Sequence, residues 1–111
     1  KIPDPGCTLP LGIEDNRIPD TAFSASSMSS NTYPPKLARL NLLPKDNFKG
    51  GWCVKSNNLN EYLTIDLGKV NKVTRIATQG LYEKDWWTST YSVSYSQHAN
   101  GYFVPYKNDK V

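Results

Sequence analysis

Few residues of this chain have the types and spacing that catalysis requires. The sequence contains one histidine, His98, which lies beside the turn residues Asn100 and Gly101. No serine stands in a Gly-x-Ser-x-Gly or Ser-x-x-Lys pattern, the arrangements that indicate an activated nucleophile. The adjacent acids Glu14 and Asp15 fall short of the roughly six or more oxygens that calcium prefers. The sequence therefore predicts no catalytic centre, no metal site and no cofactor.

The two cysteines point to an extracellular setting more than to a metal. Cys7 and Cys53 are too few and too far apart for a zinc site, which needs about four close ligands. A disulfide in an extracellular domain suits the loop-rich composition better. Two cysteines alone do not show that they pair with each other.

Three polar segments carry large apolar residues. Residues 28–35, 44–51 and 81–87 have the composition of loops, and we call them loop 1, loop 2 and loop 3. Phe48 lies among charges in loop 2, and loop 3 ends in two adjacent tryptophans. Exposed apolar residues near lysines suit a surface that inserts into a lipid interface, or that stacks on a sugar or a protein.

Two strand patterns in the middle of the chain are expected to position these loops. Residues 62–67 alternate between apolar and polar types, with Leu63, Ile65 and Leu67 on one face, which predicts a strand with one buried face. Residues 73–78 form a second β-branched run. Two adjacent strands joined by a short polar connection are therefore predicted.

The flanking segments predict further short elements. Alternation predicts a strand over residues 21–27, and one or two helical turns are expected over residues 36–42, after Pro35 at a first helical position. Tyr91, Val93 and Tyr95 share one face of another predicted strand. The dipeptide Asn100-Gly101 is a hairpin turn signal, and residues 102–106 are the returning strand, with Pro105 suggesting an edge.

Some large or charged residues adjoin these elements and are expected to be structural. Trp52 and Trp87 lie next to strand residues and are predicted to be in the core. Arg39 and Arg75 lie among apolar neighbours, and a buried arginine generally needs a carboxylate. Asp20 or Asp66 could serve as that carboxylate.

Composition predicts one small all-β domain. The chain has 111 residues and a net charge of +3 spread along its length, which gives no case for nucleic acid and only a mild preference for anionic surfaces. Eight prolines, seven glycines and many small polar residues predict short strands and ordered loops. Residues 1–6 are expected to be a linker, without the features of a signal peptide, and no apolar run is as long as a membrane span.

Several short motifs follow one another from Cys7 onwards. They are Cys7 with Pro10-Leu11-Gly12, Ile18-Pro19-Asp20 with Ala25-Ser26-Ser27, Ala38-Arg39-Leu40, Gly51-Trp52-Cys53, Leu63-Thr64-Ile65-Asp66-Leu67-Gly68, Val73-Thr74 with Thr78-Gln79-Gly80, and Tyr91-Ser92-Val93-Ser94-Tyr95-Ser96. The order of these motifs resembles the discoidin family, the F5/8 type C domains. The resemblance implies a jelly-roll β-sandwich in which three loops project from one end to meet a ligand.

One departure from the family pattern concerns the end of the chain. A jelly roll has about eight strands, whereas about six can be placed here. The family's closing strands and final cysteine have no counterpart, so residues 7–111 are expected to be a discoidin domain that is incomplete at its C-terminus. The resemblance further implies that Cys7 and Cys53 belong to two different bridges, with partners outside this chain.

The resemblance brings the three loops together as a ligand-binding end. Some of their side chains could instead fold back onto the core. The candidate ligand-binding residues are Met28, Ser29, Asn31, Tyr33, Lys45, Phe48, Lys49, Leu81, Tyr82, Lys84 and Trp86.

The expected function is that of an extracellular, non-enzymatic binding module in cell adhesion or surface recognition. Its expected partners are a membrane phospholipid surface, a glycan or an extracellular protein, and the module is expected to be part of a larger secreted or membrane-anchored protein. One alternative is a lectin-like module, in which aromatic platforms and Asn or Asp side chains recognise sugar hydroxyls. Another is an ancillary domain of a larger secreted enzyme.

Overall fold

The structure is a computed structural model of the chain, and it describes residues 9–98 and 101–107. The linker predicted at residues 1–6, Cys7 and the turn residue Asn100 lie outside the described residues.

The first sheet pairs two short strands that are distant in sequence. Strand β1 (Phe23–Ala25) runs antiparallel to β2 (Leu63–Ile65), with Phe23 opposite Ile65 and Ala25 opposite Leu63. Backbone hydrogen bonds continue the pairing on both sides, since Ser26 N–H donates to the Tyr62 carbonyl (2.9 Å) and Asp66 N–H to that of Ala22 (2.9 Å). The strands predicted in residues 21–27 and 62–67 are thus confirmed, although each is shorter than its pattern.

The second strand of the predicted central pair is absent, and this prediction was wrong. Residues 73–78 form no strand, and Val73 and Ile76 are exposed. After β2 the chain turns at Gly68, whose φ is 83° and whose N–H donates to the Asp66 carboxylate (2.9 Å). A β-branched run favours a strand only where a neighbouring surface receives it, and here the neighbour of β2 is β1.

Two short strands near the C-terminal end of the described residues form the second sheet. Strand β3 (Ser94–Tyr95) pairs antiparallel with β4 (Val104–Pro105), and Tyr106 N–H extends the ladder to the Val93 carbonyl (2.8 Å). The predicted pairing of these segments is confirmed, and a two-stranded sheet makes β4 an edge, as Pro105 suggested. The face predicted to carry Tyr91, Val93 and Tyr95 is not buried. Tyr91 and Tyr95 are exposed, and Val93 is half-buried.

A small core lies between β1 and two single turns of 3-10 helix. These turns are η1 (Asp20–Ala22) and η2 (Pro35–Leu37), and Pro35 begins η2 as the sequence predicted. The buried apolar residues are Ile18, Phe23, Tyr33 and Leu37.

A buried arginine completes this core. Arg39 donates to the Asp20 carboxylate (2.8 Å) and to the Ile13 carbonyl (2.6 Å), and its guanidinium lies 4.6 Å from the centre of the Phe23 ring. The sequence left Asp20 and Asp66 open as carboxylate partners, and the partner of Arg39 is Asp20. Arg75 is exposed, so its predicted burial was wrong, because residues 73–78 form no strand beside β2.

Candidate functional site

A tight turn shapes loop 2. Lys45 and Phe48 exchange backbone hydrogen bonds, at 3.0 Å from Phe48 N–H and 3.2 Å from Lys45 N–H. Asp46, the first central residue, has a φ of 56°, whereas Asn47 does not have a positive φ. A positive φ at the first central position alone is typical of type II′ turns. The turn holds Phe48 half-buried beneath the ammonium of Lys36, 4.4 Å from the ring centre.

Backbone contacts join loop 1 to loop 2 and to the segment that follows it. Lys49 N–H donates to the Thr32 carbonyl (2.9 Å), and Ser29 N–H donates to the Cys53 carbonyl (2.7 Å). Loop 1 is therefore held against loop 2 near its middle and anchored near its start.

The side chain of Glu83 joins loop 3 to loop 2. Gly50 N–H lies 3.1 Å from each carboxylate oxygen of Glu83. A Cβ atom at Gly50 would lie 2.9 Å from Glu83 Oε1 and 2.9 Å from Tyr82 Cβ, which is too close without displacement of loop 3. The close approach of these two loops therefore requires glycine at position 50.

An aromatic contact joins loop 3 to loop 1. The rings of Tyr33 and Trp86 are tilted, with centres 6.2 Å apart, and Lys84 Nζ lies 5.0 Å from the Trp86 ring. Loop 3 closes on itself through Leu81 N–H, which donates to the Trp86 carbonyl (2.9 Å). Each of the three loops thus contacts the other two, and together they form one continuous surface, which we call the loop surface.

The candidate residues differ in their exposure on this surface. Leu81 and Phe48 are half-buried. Tyr33 is only 8% exposed, so it supports Trp86 from below and is one of the side chains that fold back onto the core, an alternative that the sequence left open. The exposed candidates are Met28, Ser29, Asn31, Lys45, Lys49, Tyr82, Lys84 and Trp86.

The two remaining tryptophans differ from their predicted burial. Trp87 is 71% exposed, so its assignment to the core was wrong, and Trp86 beside it is 49% exposed. Adjacent residues of an extended chain point to opposite sides, and here only Trp86 meets an aromatic partner. Trp52 is half-buried, and its indole N–H donates to the Ser27 carbonyl (2.8 Å).

Cys53 is half-buried, and its backbone carbonyl accepts the Ser29 N–H of loop 1. Burial, together with the negative charge of Glu83, raises the pKa of its thiol. The thiolate, which is the reactive form, is therefore disfavoured there. Within the described residues Cys53 has no disulfide partner, and because Cys7 lies outside them the pairing of both cysteines stays a prediction.

A groove of about 460 Å³ opens between the three loops. Its lining includes residues that sequence reasoning did not select, because Thr32, Asn47 and Glu83 are common polar residues and no local pattern showed that they converge. The lining residues are Thr32, Pro44, Asp46, Asn47, Phe48, Lys49 and Glu83.

Two other kinds of feature are absent from the described part of the chain. In residues 9–98 and 101–107, no group of three or more His, Cys, Asp or Glu side chains is arranged to hold a metal ion. Across the same ranges, no helix has the length and apolar composition needed to cross a bilayer.

Comparison with known proteins identifies the family. The F5/8 type C domain model matches residues 22–111. The chain therefore belongs to the F5/8 type C domain family, and this membership implies a β-sandwich. No solved structure gave a significant match.

The similar curated proteins are much longer than this chain. Coagulation factor V of Mus musculus is 40% identical over 97 residues, covering 82% of this chain and 4% of that protein. Lactadherin of Sus scrofa is 38% identical over 112 residues, covering 96% of the chain and 24% of that protein. Hemocytin of Bombyx mori is 33% identical over 102 residues, covering 88% of the chain and 3% of that protein. In each of them the matching region is a small part of a larger protein.

Proposed function

We propose that the chain is a non-catalytic, extracellular binding module that attaches to anionic phospholipid membranes through the loop surface and thereby supports cell adhesion or surface recognition. In this proposal it works as one module of a larger multidomain protein, on a sandwich of jelly-roll type.

The observation that carries the proposal is that exposed apolar and cationic side chains occur together on the loop surface. Trp86, Tyr82 and Met28 are exposed there, although each would lose contact with water in a lipid interface. Lys84 lies close to the Trp86 ring, and Lys45 and Lys49 are exposed on the neighbouring loop.

The lysines supply attraction to an anionic surface. Neither of the ion pairs seen among the described residues, Arg17 with Asp15 and Arg39 with Asp20, involves a lysine of the loop surface. Each such cation contributes about 1 kcal/mol near an anionic membrane, and this contribution falls with salt. Apolar insertion and charge attraction would therefore act on the same face.

Vesicle sedimentation tests the proposal. The full chain should bind vesicles of phosphatidylserine mixed with phosphatidylcholine more tightly than vesicles of phosphatidylcholine alone, and binding should weaken as salt rises. Trp86→Ala should weaken binding roughly tenfold, since much of a large apolar contact is lost. The matched control is Tyr95→Ala, another exposed aromatic, which lies on β3 and belongs to none of the three loops. Equal losses in both variants, or equal binding to both kinds of vesicle, would contradict the proposal.

A lectin-like function is a second candidate because of the groove between the loops. Phe48 offers an aromatic face, and Asn47 and Asp46 offer an amide and a carboxylate at the same groove. These groups suit a sugar ring and its hydroxyls. A glycan array in which Asn47→Ala abolishes a specific signal, without any change in vesicle binding, would favour this candidate over the first.

A further inference from the structure

The negative charge of Glu83 is unexpected on a surface that binds anionic lipid. A carboxylate among Lys45, Lys49 and Lys84 opposes the attraction that these lysines provide. Direct contact of Glu83 with an anionic membrane would therefore weaken binding, and its hydrogen bond to loop 2 is the feature that could favour binding.

We propose that Glu83 is the positioning residue that fixes loop 3 against loop 2, so that the apolar side chains of the two loops are presented together. Both of its carboxylate oxygens lie 3.1 Å from Gly50 N–H. A hydrogen bond to an ionised acceptor is about twice as strong as a neutral one. This inference rests on the proposed membrane function and adds a residue that it needs.

The hydrogen bond between Gly50 and Glu83 has no equivalent elsewhere between loops 2 and 3 of the described chain. In residues 9–98 and 101–107, it is the one side-chain hydrogen bond that joins loop 2 to loop 3. The neighbouring amide of Lys49 donates to Thr32 of loop 1 (2.9 Å). Two consecutive amides of loop 2 therefore hold the other two loops, one through a backbone carbonyl and the other through Glu83.

The backbone of Gly50 lies so close to loop 3 that a side chain at this position would not fit. A Cβ atom there would lie 2.9 Å from Glu83 Oε1, 2.9 Å from Tyr82 Cβ and 3.2 Å from the Leu42 carbonyl oxygen. Loop 3 can thus reach its observed place only while position 50 lacks a side chain. Gly50→Ala should displace the two exposed aromatics of loop 3, Tyr82 and Trp86, from loop 2.

Two variants of equal charge separate positioning from electrostatics. Glu83→Ala and Asp85→Ala each remove one negative charge from loop 3, and Asp85 makes no hydrogen bond among the described residues. Asp85→Ala should tighten binding to phosphatidylserine vesicles by up to about fivefold, because one repulsive charge is lost. Glu83→Ala should weaken it, by roughly tenfold, because the loop link is lost with the charge.

Glu83→Gln supplies the conservative rescue. Its amide carbonyl can accept the Gly50 N–H without the charge, so vesicle binding should be at least as tight as that of the unmodified chain. The amide resonance of Gly50 in nitrogen-15 NMR should move in Glu83→Ala and keep most of its hydrogen-bonded shift in Glu83→Gln. Should the Ala variant lose its thermal unfolding transition, Gly50→Ala decides, because it displaces loop 3 without changing the charge. Vesicle binding by Gly50→Ala as tight as that of the unmodified chain would overturn the inference.

Failure of the positioning role of Glu83 and failure of the proposed membrane function give different results. Equal tightening by Glu83→Ala and Asp85→Ala, with vesicle binding by the unmodified chain intact, would overturn the positioning role alone. Absence of vesicle binding by the unmodified chain would contradict the membrane function, and the inference with it.

Discussion

Two arginine–aspartate pairs in this chain have the same length and different surroundings. The nitrogen–oxygen distance is 2.8 Å both for Arg39 with Asp20 and for Arg17 with Asp15. The side chain of Arg39 is 4% exposed, whereas that of Arg17 is 57% exposed. Exposed pairs contribute little to stability, while a buried arginine must keep its hydrogen bonds because water cannot replace them.

Arg39→Lys should therefore destabilise the fold by about 1.5–3 kcal/mol, because an ammonium cannot reach both the Asp20 carboxylate and the Ile13 carbonyl and also lie over Phe23. The free energy of urea unfolding measures this change. Arg17→Lys is the matched control and should change stability by less than about 0.5 kcal/mol. Similar values for the two variants would show that burial does not decide the strength of these pairs.

The adjacent tryptophans lead to a second prediction at the scale of single residues. Trp87→Ala should change the free energy of unfolding by no more than about 0.5 kcal/mol, as is usual for exposed positions. Trp86→Ala should cost more, because its ring contacts Tyr33. A decrease of several kcal/mol in the free energy of unfolding for Trp87→Ala alone would contradict its exposed position and support the core position predicted from the sequence.

At the scale of elements, a cluster around Glu61 ties the beginning of β2 to the end of β1. The Glu61 carboxylate accepts hydrogen bonds from the Ser27 hydroxyl, from Asn58 (2.9 Å) and from the Ser26 hydroxyl (3.0 Å). These bonds lower the pKa of Glu61, with the Ser27 bond as the largest cause. The cluster is polar and lies where β1 gives way to loop 1.

A lowered pKa in the folded state gives a definite dependence on pH. Glu61 stabilises the fold above its usual pKa of 4.5, and this contribution is lost as the pH falls from there through the lowered folded pKa. Glu61→Gln should thus reduce stability at pH 7 and flatten the decline in melting temperature below about pH 4.5. Asp85→Asn is the control, and an acid limb equally steep in Glu61→Gln and the unmodified chain would contradict the assignment.

The sequence predicted several strands correctly but not the pairing of the first sheet. The alternation at residues 62–67 and at residues 91–96 corresponds to real strands, although β2 pairs with β1 and not with residues 73–78. The β-branched run at residues 73–78 does not correspond to a strand, because its period carries no information on which surface will receive it. Pro35 correctly predicted the start of η2, because its fixed φ suits the first position of a helical turn.

The loop surface was predictable in its apolar members and not in its connections. Trp86 and Tyr82 stood out because large apolar residues are unexpected in polar loops. Glu83, Gly50 and Thr32 did not, because their roles arise from contacts between loops that are far apart in sequence. The burial of Tyr33 was also hidden, since its sequence neighbours do not reveal that Trp86 covers it.

At the scale of the whole molecule, many large apolar side chains remain in contact with water. Tyr102 is 98% exposed, and the second sheet also exposes Tyr95, Val104 and Tyr106. Contiguous exposed apolar surface of this kind is typical of interaction sites and favours association. We expect the chain by itself to self-associate as its concentration rises and to bind the dye ANS. Sedimentation velocity across a range of concentrations measures this, and a monomer at all concentrations without ANS fluorescence would contradict it.

The pairing of β1 with β2 also has a consequence for how the loops can vary. The chain leaves the first sheet at Ser26 and returns at Tyr62, so loops 1 and 2 both lie within one long excursion whose ends are hydrogen-bonded. The entropy of closing such an excursion grows only with the logarithm of its length, and doubling it costs about 0.6 kcal/mol. Insertions at the tip of loop 1 or loop 2 should consequently be tolerated by the fold, which leaves ligand preference free to diverge while the sheet that carries the loops stays the same.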